Sequence, residues 1–262
     1  MKSFSVKGNK LFYLNVGQQS RDAPCYLWAH GWGQNHKAFL KLLRPFENRA
    51  RHIMIDFPGF GQSPEPPAGW GTEQYADMVA DFIRHHHFGS VVWIGHSFGC
   101  RVGLQMASKY PEMIAAQIYI GGAGLKVKKS LIKKGYLRIR IFLFKALKTF
   151  IPWGLSAEWL HGVFGSSDYK NTSGIMRQVF VKVVNEDLIE EAKMVRCPTL
   201  LIYGENDNQT PPSLGKKLHQ LIEKSQFIEL SKQDHYSVLD SGAHQVAYHL
   251  NRFIQGLGFD TK

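Results

Sequence analysis

Five short, almost unbroken apolar runs recur along this chain: CYLWA (25–29), HIMID (52–56), VVWI (91–94), AQIYI (116–120) and TLLIY (199–203). Each is too short for an ordinary helix and has no polar alternation, so both of its faces must be covered. Strands of that kind belong in the middle of a parallel sheet that carries helices on either side. The segments between them supply such helices. Residues 73–87 place Tyr75, Met78, Val79, Phe82 and Ile83 at helical spacing, and further helices are expected near 98–109, 212–222 and 241–255. Strands at 3–7 and 10–16, either side of Gly8-Asn9, and QFIEL (226–230) complete the set. The expected fold class is α/β, a mostly parallel eight-stranded sheet with helices on both faces.

The alternation breaks between 122 and 196. That stretch holds LIKKGYLRIRIFLFKALKTF, then Trp153, Trp159, Phe164 and Tyr169, then a helical GIMRQVFVKVVNE. An insertion after a strand of an open α/β sheet emerges beside the carboxyl ends of the strands, where ligands bind. It reads as a helical lid on a core formed by 1–121 and 197–262. The lid also explains the charge. Nine basic residues and no acidic one lie from Lys126 to Lys148, and without them 23 basic residues face 21 acidic ones in a chain of net charge +11. A solvated helix face, a rim for an acidic carrier protein and a contact with an anionic surface are the three readings of that segment. No nucleic-acid motif accompanies it.

No apolar stretch approaches the ~20 residues that cross a bilayer, and the first residues alternate as a strand does rather than forming an apolar leader. Cys25, Cys100 and Cys197 are odd in number, far apart, and sit in or beside apolar runs. Reduced thiols and a cytoplasmic location are therefore expected. The run His85-His86-His87 does not suggest a metal site, because consecutive helical residues point about 100° apart. GFGQS (59–63) lacks the lysine of a phosphate loop.

Chemistry concentrates at Gly95-His96-Ser97-Phe98-Gly99. The G-x-S-x-G pattern alone is weak in a chain with 25 glycines, but here a buried strand leads in and a helix leads out. So sharp a turn lifts the serine hydroxyl clear of the sheet at a helix N-terminus, and side chains at Gly95 and Gly99 would strike neighbouring elements. A hydroxyl attacks only when a base takes its proton, and the base needs a carboxylate behind it to fix its tautomer. Asp207 follows the strand TLLIY and His235 follows QFIEL, giving the order nucleophile, acid, base. Glu205 and Asp234 are the competing carboxylates; Glu205 can instead cap its turn, and Asp234 adjoins the base too closely to orient its ring. The expected oxyanion donors are the backbone N–H groups of Trp32, in LWAHGWGQN, and of Phe98.

With HGWG (30–33), DFPGFGQS (56–63) and GENDNQTP (204–211) beside the serine turn, the chain resembles members of the α/β-hydrolase superfamily over nearly all its length outside the lid. The resemblance is to small serine carboxylesterases. It implies hydrolysis of an ester or related acyl compound through an acyl-enzyme on Ser97, without a cofactor or metal, and the lid's aromatic content favours a hydrophobic acyl or aryl substrate. The HGWG and PGFG loops are also similar to those of esterases that cleave the methyl ester of a pimeloyl-carrier conjugate, for which a basic lid would suit an acidic carrier. Carbon–carbon bond hydrolases share the same three side chains, and a non-catalytic ligand receptor of this fold is the alternative of another class. One departure stands out: relatives commonly have glycine before the histidine and glutamate after it, where this chain has Asp234 and Asp240. A carboxylate so close is expected to raise the pKa of the base.

Overall fold

The computed structural model describes residues 1–20, 23–126 and 172–258. Among them eight strands form one sheet: β1 (Lys2–Val6), β2 (Asn9–Gly17), β3 (Cys25–Ala29), β4 (Arg51–Asp56), β5 (Val91–His96), β6 (Ile114–Ile120), β7 (Thr199–Gly204) and β8 (Ser225–Leu230). Their spatial order is β1-β2-β4-β3-β5-β6-β7-β8. β1 and β2 pair antiparallel, as does β2 with β4, and every other neighbouring pair is parallel. The mostly parallel eight-stranded sheet expected from the sequence is thus present.

Alternate side chains of the central strands enter two separate cores. Leu27 and Ala29 of β3 join Trp93, Tyr119 and Tyr203 on one face. Helices α2 (Thr72–His85), α3 (Phe98–Lys109), α4 (Gly174–Asn185) and α6 (Pro212–Leu221) cover that face. Tyr26 and Trp28 point to the other, with Met54, Ile94 and Ile202, under α1 (Leu40–Leu43) and α7 (Ala243–Gly256). Strands buried on both sides need no polar alternation, which is why they read as solid apolar runs. The short helical stretch around α1, flanked by 3₁₀ turns His36–Phe39 and Arg44–Phe46, has no signature in the sequence because none of its pieces is long enough to establish a helical period.

Of the expected lid, 127–171 lies outside the described residues, and so do the basic positions Lys128 to Lys148. The returning part contains α4 and α5 (Ile189–Met194). α4 buries Met176, Val179 and Val183 in the first core. After it, the Glu186 carboxylate accepts hydrogen bonds from the Thr72 N–H at 3.0 Å and hydroxyl at 2.6 Å, at the start of α2. The two ends of the insertion are joined at their base: Leu188 N–H donates to Gly124 O (2.9 Å) and Lys126 N–H to Asp187 Oδ1 (3.1 Å). Among the described residues no helix is long and apolar enough to cross a membrane. Cys25 and Cys100 are buried, Cys197 is half-buried, and all three are free thiols.

Candidate active site

β5 ends at His96 and α3 begins at Phe98, leaving Ser97 alone to make the turn. It does so with φ +47° and ψ −103°, half-buried, in a region that L-residues rarely enter. Such a residue costs on the order of 1–3 kcal/mol and persists only because its surroundings enforce it. Here Ser97 N–H donates to Ile120 O (3.1 Å), and Ser97 O accepts from Cys100 N–H (3.1 Å). The glycines have the role the motif demands. A Cβ on Gly99 would overlap the Ala29 carbonyl of β3, and one on Gly95 would lie 2.9 Å from the Cys100 nitrogen.

Asp207 and His235 come together from the loops after β7 and β8. His235 Nδ1 is 2.7 Å from Asp207 Oδ2, and both side chains are almost fully buried. Asp207 Oδ1 accepts the N–H groups of Gln209 and Thr210, each at 2.8 Å. Burial alone would push the Asp207 carboxyl up. The hydrogen bond and charge of His235 and the donors of Thr210 outweigh it, leaving the pKa below the ordinary carboxylate value. An ionised Asp207 requires the proton of neutral His235 to sit on Nδ1, which leaves the Nε2 lone pair as the ring's base.

Thr210 was not legible as part of this site. Its hydroxyl lies 2.8 Å from Asp207 Oδ2, 3.0 Å from Gly121 O and 3.1 Å from His235 Nδ1. The only hint is a threonine three residues after an aspartate in a tight turn, where its N–H folds back onto the carboxylate. The competing carboxylates are engaged elsewhere. Glu205 Oε2 accepts the Lys232 N–H at 3.1 Å, capping the turn. Asp234 Oδ1 accepts the N–H groups of Tyr236 (2.9 Å) and Ser237 (2.8 Å), bonds that hold its own pKa down. Its carboxylate therefore serves the backbone beyond the histidine. Asp240 is exposed and pairs with Lys41.

The loop after β3 carries Trp32. Among the described residues neither the Trp32 nor the Phe98 N–H donates to a protein acceptor, and the Phe98 amide belongs to the open first turn of α3. The loop is held from below. His30 Nδ1–H donates to Gly31 O (2.7 Å), while its Nε2 accepts the Phe57 N–H (3.1 Å). Buried Asp56 accepts the His36 N–H (2.7 Å), His36 Nδ1–H (2.9 Å) and Gln62 N–H (3.0 Å), tying HGWGQN to DFPGFGQS. Above it the Trp32 ring meets Phe60, Phe98 and, from α4, Phe180, with centroids 4.9, 5.7 and 5.0 Å away. The histidine run is structural: His86 Nδ1–H donates to Phe82 O, and its Nε2 accepts the Tyr13 hydroxyl (2.9 Å).

Comparisons with known proteins agree with this architecture. A family model described as "alpha/beta hydrolase fold" matches residues 27–136, and one described as "TAP-like protein" matches 179–259. The chain is similar to a 2-(acetamidomethylene)succinate hydrolase of Mesorhizobium japonicum, 24% identical over 85% of each chain. Among solved structures it is similar to a thermophilic esterase from Thermogutta terrifontis, with TM-score 0.71, 19% identity, and 99% of this chain and 97% of that one covered. The enol-lactonase from Burkholderia xenovorans has TM-score 0.74 at 19% identity, over 97% of this chain and all of its own. A serine turn leaving the fifth strand, a parallel sheet of this order and two matching family models together make the chain a member of the α/β-hydrolase superfamily.

Proposed function

We propose that the chain is a serine hydrolase that cleaves an ester or related acyl compound through an acyl-enzyme on Ser97, with no cofactor in the cycle. The observation that carries this reading is the buried 2.7 Å contact of His235 with Asp207, with His235 also bonded through its backbone to His96, the residue before the strained Ser97. His235 Nε2 takes the Ser97 hydroxyl proton as Oγ attacks the acyl carbon, and Asp207 steadies the imidazolium. The N–H groups of Trp32 and Phe98 receive the charge that develops on the carbonyl oxygen, each worth about 3–4 kcal/mol in such a role. Collapse of the tetrahedral species expels the alcohol, which takes the proton from His235. Water, deprotonated by the same imidazole, then releases the acid and restores Ser97. The rings of Phe60, Phe98 and Phe180 around Trp32 supply an apolar wall for a hydrophobic acyl or aryl group.

A fluorophosphonate probe tests the assignment. The folded wild type should be modified once, at Ser97, and Ser97→Ala should take no label and lose at least about 10⁴-fold in kcat on aryl esters. A folded wild type that stays unmodified and inactive on a panel of esters would overturn the reading in favour of a ligand receptor on the same fold. The cluster of nine basic residues at 126–148 favours one particular substrate form, an ester borne on an acidic carrier protein. Charge reversal at Arg138 and Arg140 should then slow turnover of a carrier-linked ester about tenfold at low salt while sparing a small aryl ester. Equal effects on both substrates would remove the carrier.

A further inference from the structure

We propose that His96 is a positioning residue that locks the loop of His235 to the loop that carries Trp32, an assignment that rests on the serine-hydrolase reading above. His96 is buried, directly precedes Ser97, and has its ring centroid 4.8 Å from that of His235. Its Nε2 is 2.9 Å from the backbone carbonyl oxygen of His235, an atom that can only accept. The donor of the neutral His96 ring is therefore on Nε2. On the other side Nδ1 lies 2.9 Å from Gln34 Oε1, which accepts the Gly31 N–H at 2.9 Å. The loops after β3 and β8 thus meet on one imidazole at the end of β5.

The links differ in strength. Three full hydrogen bonds would need a proton on both ring nitrogens, and burial opposes that charge, holding the His96 pKa down to about 3. The bond to His235 is the firm one. With the ring neutral, Nδ1 and Gln34 Oε1 are both acceptors, so on that side the loop is held by Gly31 N–H donating to Gln34 and by the close approach of Gly31 to the ring. That packing is tight: a Cβ on Gly31 would lie 2.6 Å from His96 Nδ1 and 2.7 Å from Gln34 Oε1. Gly31 adjoins Trp32, so the ring that fixes the backbone of the base also fixes the approach of one proposed oxyanion amide. Misplacement by about 1 Å at such a distance from the reacting atoms can cost about 100-fold in rate. A histidine serving only to fill space would need none of these partners.

The test uses the full chain with ¹⁵N-labelled histidine and two substitutions. His96→Phe keeps a ring and removes both nitrogens; His96→Gln restores a donor near the Nε2 position. In wild type and His96→Gln, the His235 Nδ1 proton should appear far downfield, with the same titration midpoint. In His96→Phe that midpoint should move by about half a pH unit or more, and Ser97 labelling should slow about 10- to 100-fold. His96→Phe with an unchanged midpoint and an unchanged labelling rate overturns the proposal. A wild type with the downfield proton but no reaction with the probe removes the serine reading, and the shifted midpoint in His96→Phe would still support the link. Should His96→Phe fail to fold, Gln34→Ala tests the other end: labelling three- to tenfold slower with the His235 resonance in place supports the link, and a wild-type rate overturns it.

Discussion

Ser97 holds its place in the turn at the cost of backbone strain, and that strain can be measured separately from chemistry. Its φ of +47° is comfortable only for glycine. Ser97→Gly should therefore raise the unfolding free energy by up to about 1 kcal/mol, whereas Ser97→Ala, which keeps a Cβ in the same conformation, should leave it nearly unchanged. Chemical denaturation of the two variants decides it; equal stability would mean the turn is not strained in the way its dihedrals imply. The residues around Ser97 were unevenly legible. Asp207 and His235 could be picked out because each follows a recognisable strand. Thr210, Gln34 and His96 could not be given partners, since their hydrogen bonds join loops that are distant in sequence, and no periodicity encodes such a meeting.

At the level of elements, the crossing of α3 over β3 depends on there being no side chain at Gly99. Gly99→Ala should cost about 3 kcal/mol or more, beyond the usual range for overpacking, because the obstacle is the Ala29 backbone rather than a movable side chain. A thermal melt with an unchanged midpoint would show that α3 can shift outward freely. The same comparison explains what sequence reading could reach. Buried strands and long amphipathic helices such as α2 announce themselves through composition and period, and their bounds fall within a few residues of expectation. Strand order was legible only as a class, because which neighbours pair is settled by the crossover helices and by two separate cores.

For the whole molecule, three buried histidines set the response to acid. Burial drives His30 and His52 down to about 4 and His96 to about 3, against an ordinary value near 6.5. The unfolded chain binds these protons first. The stability they confer as neutral rings is complete above about pH 6.5 and is lost as pH falls toward 4 and then 3. His52, hydrogen-bonded to the Trp28 indole and the Phe46 carbonyl, belongs to the core opposite the candidate site's supporting helices. In His52→Gln, whose amide can both donate and accept, the pH slope of unfolding free energy between 6 and 4 should fall by about one proton. Urea titrations at several pH values give that slope, and an unaltered one would exonerate His52.

The clasp between Gly124 and Leu188, reinforced by Lys126 and Asp187, has a consequence for how such a chain can change over time. Because the insertion departs and returns at one tied point, the sheet meets the same short bridge whatever hangs beyond it. Lengthening that appendage adds closure entropy only logarithmically, roughly 0.6 kcal/mol per doubling. The sequence between 127 and 171 can then change in length and composition while the sheet and the loops that carry Ser97, Asp207 and His235 keep the same anchor.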